Sequence, residues 1–388
     1  MITLFEFLDE EPIENIITCL NYKVDKVVFF GYKDGDAKVS KFLKERCGVK
    51  EVIFKKFPEN DFVSISRMMR ATIDSEKKIG SNIYFDITGG EDVILVAFGI
   101  LSKEFNAPIH LYDVANNKLI ELDEGAQLSI SRDVEKQHVT MEVEECIELR
   151  NACINMFLHK DIKDIGTEDF SKAVDALWQI NQKYKRCWNA FSSLLRSELN
   201  QDDLPVYSVR TTEDFVRNSL RQAKYKSLSF ESFIGILDEM SQAGIIVNYR
   251  HFGGNIDFDY KNKLIKSSIW DSGSTLELQT YKRCLAEQDD VMVGAHLDWD
   301  GVIHTTIGED VLNEIDVLAV KDCIPTFISC KAGKLNAEKT LHALYELETV
   351  AYRFGGKYAK KELVTVFPIE GNYAIRAKEM GIKLTVLK

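Results

Sequence analysis

Asn313-Glu314-Ile315-Asp316-Val317, followed by Phe327-Ile328-Ser329-Cys330-Lys331, are the two stretches on which the reading of this chain turns. An acid sits within one apolar run, and a lysine ends the next, fifteen residues on. Side chains alternate along an extended segment, so Asp316 shares a face with Glu314 and Leu318 rather than with Ile315 and Val317. A carboxylate there is costly unless it is paired or binds a cation. A divalent cation on Asp316 would polarise a phosphodiester and lower the pKa of a bound water. Lys331, across the site, would orient that water or help deprotonate it. Ser329 adds only a hydroxyl, a poorer ligand than a carboxylate and without charge. Such a site would keep its metal through fewer acids, with water in the gap, or through another acid, or it would be inactive. Glu314 is the nearest acid in sequence, ahead of Asp298 and Asp300 in the Asp298-Trp299-Asp300-Gly301 turn.

Working outward, the chain from about 268 predicts a helix near Thr275–Ala286 and strands at Val291–Leu297, Glu314–Val320 and Thr326–Cys330. A long helix near Ala337–Arg353, a strand at Leu363–Phe367, a helix near Asn372–Met380 and a strand at Lys383–Leu387 follow. Helix, three strands, helix, strand, helix, strand is the order of the restriction-endonuclease core. Glu277, between Leu276 and Leu278 in the first helix, stands where such folds offer a second carboxylate. Glu277, Asp316, the main-chain carbonyl near Cys330 and Lys331 are together expected to form a site for one Mg²⁺ or Mn²⁺, ions suited to hard oxygen ligands.

The first 125 residues alternate β-rich runs (Ile2–Leu8, Lys26–Gly31, Glu51–Phe54, Asn82–Asp86, Ile109–Asp113, Lys118–Glu121) with helical stretches near Pro12–Leu20, Asp36–Arg46, Asp61–Lys78 and Asp92–Phe105. That alternation predicts a mostly parallel, Rossmann-like sheet with helices on both faces, binding ligands at its carboxyl edge. Phe85-Asp86-Ile87-Thr88-Gly89-Gly90-Glu91-Asp92 falls where a strand gives way to a helix. Its glycines let backbone amides approach a ligand, a helix start favours phosphate, and the Thr88 hydroxyl can donate to a phosphate or ribose oxygen. Asp9 and Glu10, after the first strand, and Tyr32 and Lys33, after the second, would flank the same edge. For Gly-Gly alone, a plain strand-to-helix turn is the stronger reading.

Residues Met141–Leu158 and Thr167–Leu199 predict a helical connector, with Trp178, Tyr184, Trp188 and Phe191 as core anchors rather than base-stacking platforms. Residues 206–266 read as a winged helix: a capped helix from Thr211-Thr212-Glu213, a second over Ser229–Gly244, and a hairpin turning at Gly253-Gly254. The second helix carries Glu231, Asp238 and Glu239 but neither Lys nor Arg, which favours a spacer or dimer module over a DNA reader. The expected organisation is 1–140 sensing, 141–205 connector, 206–266 winged helix and 267–388 nuclease.

Composition fits this plan. At 388 residues, 45% hydrophobic and 28% charged, the chain is long enough for two or three ordinary domains. No apolar run approaches the roughly 20 residues of a membrane span, and Met1–Phe7 does not resemble a signal peptide, so a cytoplasmic protein is expected. The eight cysteines are scattered without a CxxC pair, which predicts reduced thiols. A net charge of −12 argues against indiscriminate nucleic-acid coating. Two stretches are locally basic: Lys183–Lys226, with nine Lys/Arg against five Asp/Glu, and Arg353–Lys388, with eight against three.

Asp86-Ile87-Thr88-Gly89-Gly90 resembles the D-x-T-G-G signature of CARF domains, the Rossmann-like sensors of CRISPR-associated proteins. With Glu277, Asn313-Glu314-Ile315-Asp316 and Ser329-Cys330-Lys331, the whole chain is similar to the CARF-plus-nuclease effectors of type III CRISPR defence, whose nuclease is of the PD-(D/E)xK type. The resemblance implies a homodimer whose paired CARF domains bind a cyclic oligoadenylate, most often cyclic tetra-adenylate. It further implies a metal-dependent nuclease that nicks DNA or degrades single-stranded DNA or RNA. Carried over by position, Asp9, Glu10, Tyr32, Lys33, Thr88, Gly89, Gly90 and Glu91 line the activator pocket. Glu277, Asp316, Ser329 and Lys331 form the catalytic set, with the metal at Glu277, Asp316 and the Cys330 carbonyl. Two positions depart from the pattern: Ser329 replaces the usual acid, and Glu91-Asp92 replaces the Lys or Thr-Lys that often follows Gly-Gly. A cyclic-oligoadenylate-responsive winged-helix regulator of transcription, with a degenerate nuclease domain, and a ring nuclease that cleaves its own activator are the alternative readings.

Overall fold

The computed structural model of the protein describes residues 1–57, 61–114, 116–122, 128–130, 139–156, 167–200, 205–303 and 312–388. The chain is mixed α/β and is built on three sheets. The first contains β1 (Ile2–Phe7), β2 (Lys26–Gly31), β3 (Glu51–Lys56), β4 (Asn82–Asp86), β5 (Ile109–Asp113), β6 (Lys118–Leu122) and β7 (Leu128–Ile130). It is interleaved with α1 (Ile17–Asn21), α2 (Ala37–Glu45), α3 (Phe62–Lys78) and α4 (Asp92–Phe105). Strand order is β3-β2-β1-β4-β5-β6-β7; the first five run parallel and the last two antiparallel. All six residues of β2, Lys26 to Gly31, are buried, as befits a parallel strand covered on both faces. The winding direction changes between β1 and β4, which opens a crevice at their carboxyl ends.

The connector differs from the helix expected over Met141–Leu158. Only α5 (Val143–Glu148) forms, and Cys153–Ile154 is a strand, β8; residues 157 and 158 lie outside the described residues. Asn151 adopts φ 58° while the Ala152 amide donates to the Ile147 carbonyl. That closure ends the helix and turns the chain into the C-terminal sheet. The stretch Thr167–Leu199 is two helices, α6 (Glu168–Lys183) and α7 (Trp188–Ser197), joined by a tight turn. Trp178, Trp188 and Phe191 are buried in the core, as their anchor reading requires.

The winged-helix-like unit is β9 (Ser208–Thr212), α8 (Glu213–Ser219), α9 (Phe230–Gln242), β10 (Ile246–Phe252) and β11 (Asn255–Tyr260), with an antiparallel sheet in the order β10-β11-β9. After α10 (Lys263–Trp270) comes the predicted order of the nuclease core. It runs α11 (Ser274–Leu285), β12 (Asp290–Asp298), β13 (Leu312–Lys321), β14 (Ile324–Lys331), α12 (Ala337–Gly355), β15 (Lys360–Thr365), α13 (Asn372–Glu379) and β16 (Ile382–Val386). β12, β13 and β14 form an antiparallel meander, β15 and β16 add in parallel, and β8 pairs with the outer side of β12. The eight cysteines are unbridged. Among the described residues, no helix is long and apolar enough to cross a membrane.

Candidate active site and ligand crevice

The pairing between β13 and β14 runs from Lys321↔Ile324 to Val317↔Ile328 and stops, although both strands continue. The next residues to face each other would be Asp316 and Ser329. Here the Asp316 carboxylate takes the place of a strand carbonyl. Its Oδ2 accepts the Cys330 amide at 2.6 Å and the Ser329 hydroxyl at 3.2 Å, and lies 3.9 Å from Lys331 Nζ. A strand residue sends its N–H and C=O to the same side, so the Cys330 carbonyl faces this opening as well. On the other flank, Gly294 of β12 has φ +60° between the pairs Val293↔Val317 and Ala295↔Ile315, directly across from Asp316. Burial raises the Asp316 pKa. Lys331, the Cys330 amide and the Ser329 hydroxyl oppose the rise, and Glu314 adds to it. A carboxylate held out of water in this way gains from a cation placed beside it.

Glu277 is on α11, 8% exposed, where that helix packs across the meander. The Cys330 thiol rests 3.6 Å from Thr280 on the same helix. Its pKa is pushed far up by burial, and the charges of Asp316 and Glu277 both contribute. Cys330 therefore joins the two elements that carry the carboxylates, its amide on Asp316 and its thiol on Thr280, one helical turn from Glu277. Among the described residues, no three His, Cys, Asp or Glu side chains gather into a group able to hold a metal. Of the alternative acids, Asp298 accepts the Asp300 and Gly301 amides and Asp300 accepts the Val302 amide, so both shape their turn. Glu314 stays beside Asp316 and faces His296 in register, with His296 Nε2 3.9 Å from its Oε2. His296 carried no signal in the sequence. Its Nδ1 lies 3.2 Å from the Gly294 carbonyl, which leaves Nε2 as the ring nitrogen on the Glu314 side.

At the other end of the molecule, Asp9, Thr88, Gly89 and Gly90 converge at the β1/β4 crevice. The Gly90 amide donates to Asp9 Oδ2 at 3.0 Å, the Thr88 amide to Asp86 Oδ1 at 2.7 Å, and the Tyr112 amide to Thr88 Oγ at 2.8 Å. Gly90 has φ +128°, and a Cβ there would lie 2.9 Å from Leu95 and 3.3 Å from Phe7, so the close approach requires glycine. A Cβ at Gly89 would lie 3.0 Å from Glu14. The flanking residues are placed differently from one another. Glu10 and Lys33 form an exposed ion pair at 3.4 Å on the rim. Tyr32 turns inward, edge-on to Phe7 and Phe57, and packs against the core. Glu91 is the residue before α4 and makes no side-chain cap. The crevice floor is acidic. Glu6 is buried and its pKa is raised well above normal, first by burial and then by Asp86, Glu14 and Asp9. Glu14 reaches out of the sensing domain: Lys357 Nζ binds it at 2.8 Å, and the Tyr358 hydroxyl donates to it.

No curated protein matches the sequence. Residues 267–386 match the family described as Card1-like, endonuclease domain. Protein VC1899 from Vibrio cholerae superimposes over 99% of this chain and 93% of its own, with a TM-score of 0.70 and 15% identity. Can2 from Sulfobacillus thermosulfidooxidans, solved in complex with cyclic tetra-adenylate, superimposes over 99% and 95%, with a TM-score of 0.64 and 14% identity. Identities this low establish a shared fold, and here it extends over nearly the whole of each chain. The C-terminal third of this protein matches the Card1-like endonuclease domain family, on a chain folded throughout like VC1899 and Can2.

Proposed function

We propose that the protein is a nuclease activated by a cyclic oligoadenylate, cyclic tetra-adenylate first, that acts in type III CRISPR defence. The observation that carries this reading is the opening of the β13–β14 ladder at Asp316, with Lys331 and the Cys330 backbone in the same gap, within a Card1-like endonuclease domain. Can2, which shares the full-length fold, binds cyclic tetra-adenylate, and the Thr88-Gly89-Gly90 crevice is the matching candidate here.

A divalent cation fits the donor chemistry here: a half-buried carboxylate whose ionised form desolvation disfavours, an outward backbone carbonyl beside it, and a buried carboxylate on the helix that packs across the meander. Asp316, Glu277 and the Cys330 carbonyl would hold it, with Ser329 contributing a hydroxyl. Mg²⁺ or Mn²⁺ so bound supplies charge to the scissile phosphate and acidifies a water. The chain's own part is to orient. Lys331 holds the attacking water and the non-bridging oxygen with its ammonium, and Ser329 and the Cys330 amide fix the Asp316 carboxylate. Two chains would face each other across their sensing domains as a homodimer. The winged-helix-like unit is better suited to scaffolding than to reading DNA, because Glu239 of α9 is tied to Lys183 and Tyr184 of the connector.

The deciding experiment incubates the full-length protein and Mn²⁺ with supercoiled DNA, single-stranded DNA and single-stranded RNA, with and without cyclic tetra-adenylate. Ligand-dependent cleavage of at least one substrate is expected, lost in Asp316→Ala. Absence of cleavage from every substrate would overturn the reading, and full activity of Asp316→Ala would relocate the metal.

A further inference from the structure

We propose that Lys185 and Arg186 in the turn between α6 and α7, with Asn189 at the start of α7, form with Phe367 and Tyr373 a seat for the nucleotide next to the scissile phosphate of a nucleic-acid strand. The inference rests on the nuclease reading and adds to it a grip on the substrate strand from outside the endonuclease domain. β14 and β15 run parallel with Lys331 paired to Thr365, so both leave the sheet at the same end. Two residues past this pair stand Gly333 and Phe367. A Cβ at Gly333 would lie 3.6 Å from Asn189 Nδ2, and Lys185 Nζ sits 5.6 Å over the Phe367 ring. The connector turn thus lies directly against the exit from the candidate catalytic lysine. Two strand residues span roughly 7 Å, within reach of a nucleotide that flanks a phosphate held at Lys331. A pocket at this exit is lined by Leu335, Thr340, Phe367, Ile369 and Tyr373, with exposed Glu370 as its one carboxylate. Its aromatic wall suits a base, since stacking on a ring tolerates any sequence.

The charge pattern gives the seat its direction. In the basic stretch from 183 to 226, Lys183 pairs with Glu239, Arg210 with Asp259, Arg217 with Glu213 and Lys224 with Glu198. Lys185 and Arg186, both exposed, make no ion pair with a carboxylate among the described residues, as is also true of exposed Arg196, Arg221 and Lys226; Lys185 is the one set over Phe367, and exposed Lys334, three residues past Lys331, is likewise unpaired. In a chain of net charge −12, unpaired cations beside a candidate catalytic lysine form a local phosphate track. It acts over the short range that salt leaves unscreened, about 8–10 Å.

The test measures fluorescence anisotropy of labelled 12-nucleotide single-stranded DNA and RNA on the full-length protein, with cyclic tetra-adenylate and EDTA, across a salt series. The Lys185→Glu/Arg186→Glu pair is expected to weaken binding at least tenfold and to flatten the salt dependence by roughly 0.7 for each phosphate that is no longer neutralised. Tyr373→Ala should weaken binding several-fold without changing that slope. A matched double reversal on the sensing domain, Lys41→Glu/Lys44→Glu, should leave both unchanged. Equal affinity and slope in wild type and Lys185→Glu/Arg186→Glu would overturn the seat, as would an equal loss in the sensing-domain control. A Lys185→Gln/Arg186→Gln pair, melting like wild type, guards against misfolding and should give an intermediate loss. Mn²⁺-dependent cleavage of the same oligonucleotides keeps the two readings apart. Wild-type cleavage with unaltered variant binding refutes the seat alone. Variant-sensitive binding without wild-type cleavage supports the seat and refutes the nuclease.

Discussion

Asp316 collects its donors from one strand end, and Ser329 is among them. The serine is thus a positioning donor to the carboxylate, at a place where an acid would add a second charged ligand for the cation. Ser329→Glu is expected to tighten Mn²⁺ binding severalfold in calorimetry, by adding a charged oxygen to the opening. Unchanged metal affinity would mean that another group, Glu314 foremost, already fills the place. Glu6 poses a residue-scale question in the sensing domain. Its Oε1 has no hydrogen-bond partner among the described residues, and burial raises its pKa. The folded state therefore holds this proton more tightly than the unfolded chain does. The stability it confers is fully present below the unfolded pKa, near 4.3, and is lost as pH rises toward the folded value. Glu6→Gln should remove that loss. It should match wild type near pH 4 and exceed it at pH 8 by on the order of 1–3 kcal/mol in urea unfolding. A parallel pH dependence in the two proteins would show that Glu6 ionises freely.

At the scale of elements, β12 is shaped by one residue. Gly294 holds φ +60° opposite Asp316, a conformation that costs an L-residue roughly 1–2 kcal/mol. Gly294→Ala should lower stability by about that much and reduce cleavage more than stability alone explains, because β12 flanks the opening. Unaltered kcat in a protein that has lost stability would separate the kink from the site. The element order from α11 to β16 was legible in sequence because each piece announces itself locally, through alternation, helical spacing and caps such as Asn336 at the start of α12. Asp316 and Lys331 were legible for the same reason, each ending or interrupting an apolar run. Long-range relations had no such signature. β8 joins a strand more than 130 residues away, after a turn set by the left-handed conformation of a single asparagine. His296 meets Glu314 only through cross-strand register. Tyr32 directly follows a strand end that faces the crevice, yet it packs into the core because Phe7 and Phe57 offer its ring a better surface. The Lys185 cluster looked like one basic stretch until the fold set Lys185 over Phe367, where β14 and β15 leave the sheet.

Across the whole molecule, the N-terminal crevice and the C-terminal domain are joined by charge. Glu14, packed under Gly89, is bound by Lys357 and Tyr358 just past the end of α12, while Glu11 pairs with Arg150 and accepts the Lys357 amide. Gly89 and the endonuclease-side residues Lys357 and Tyr358 thus meet at one carboxylate. Assembly is suggested by α4, which begins two residues after Gly90. Its inner face buries Ile94, Ala97, Phe98 and Leu101, yet Val93, Val96 and Ile100 on the other side are 50%, 57% and 50% exposed. A helix apolar all round is normally covered on all sides. A second copy seated there would bring two Thr88-Gly89-Gly90 crevices together about one axis, as a two-fold ligand requires. Val96→Glu is therefore expected to convert a dimer into a monomer in sedimentation velocity and to abolish cleavage stimulated by cyclic tetra-adenylate. An exposed substitution of this kind should change unfolding free energy by no more than about 0.5 kcal/mol. If the wild-type protein sediments as a monomer, or the variant keeps both its mass and its stimulation, this face of α4 is not where the two sensing domains meet.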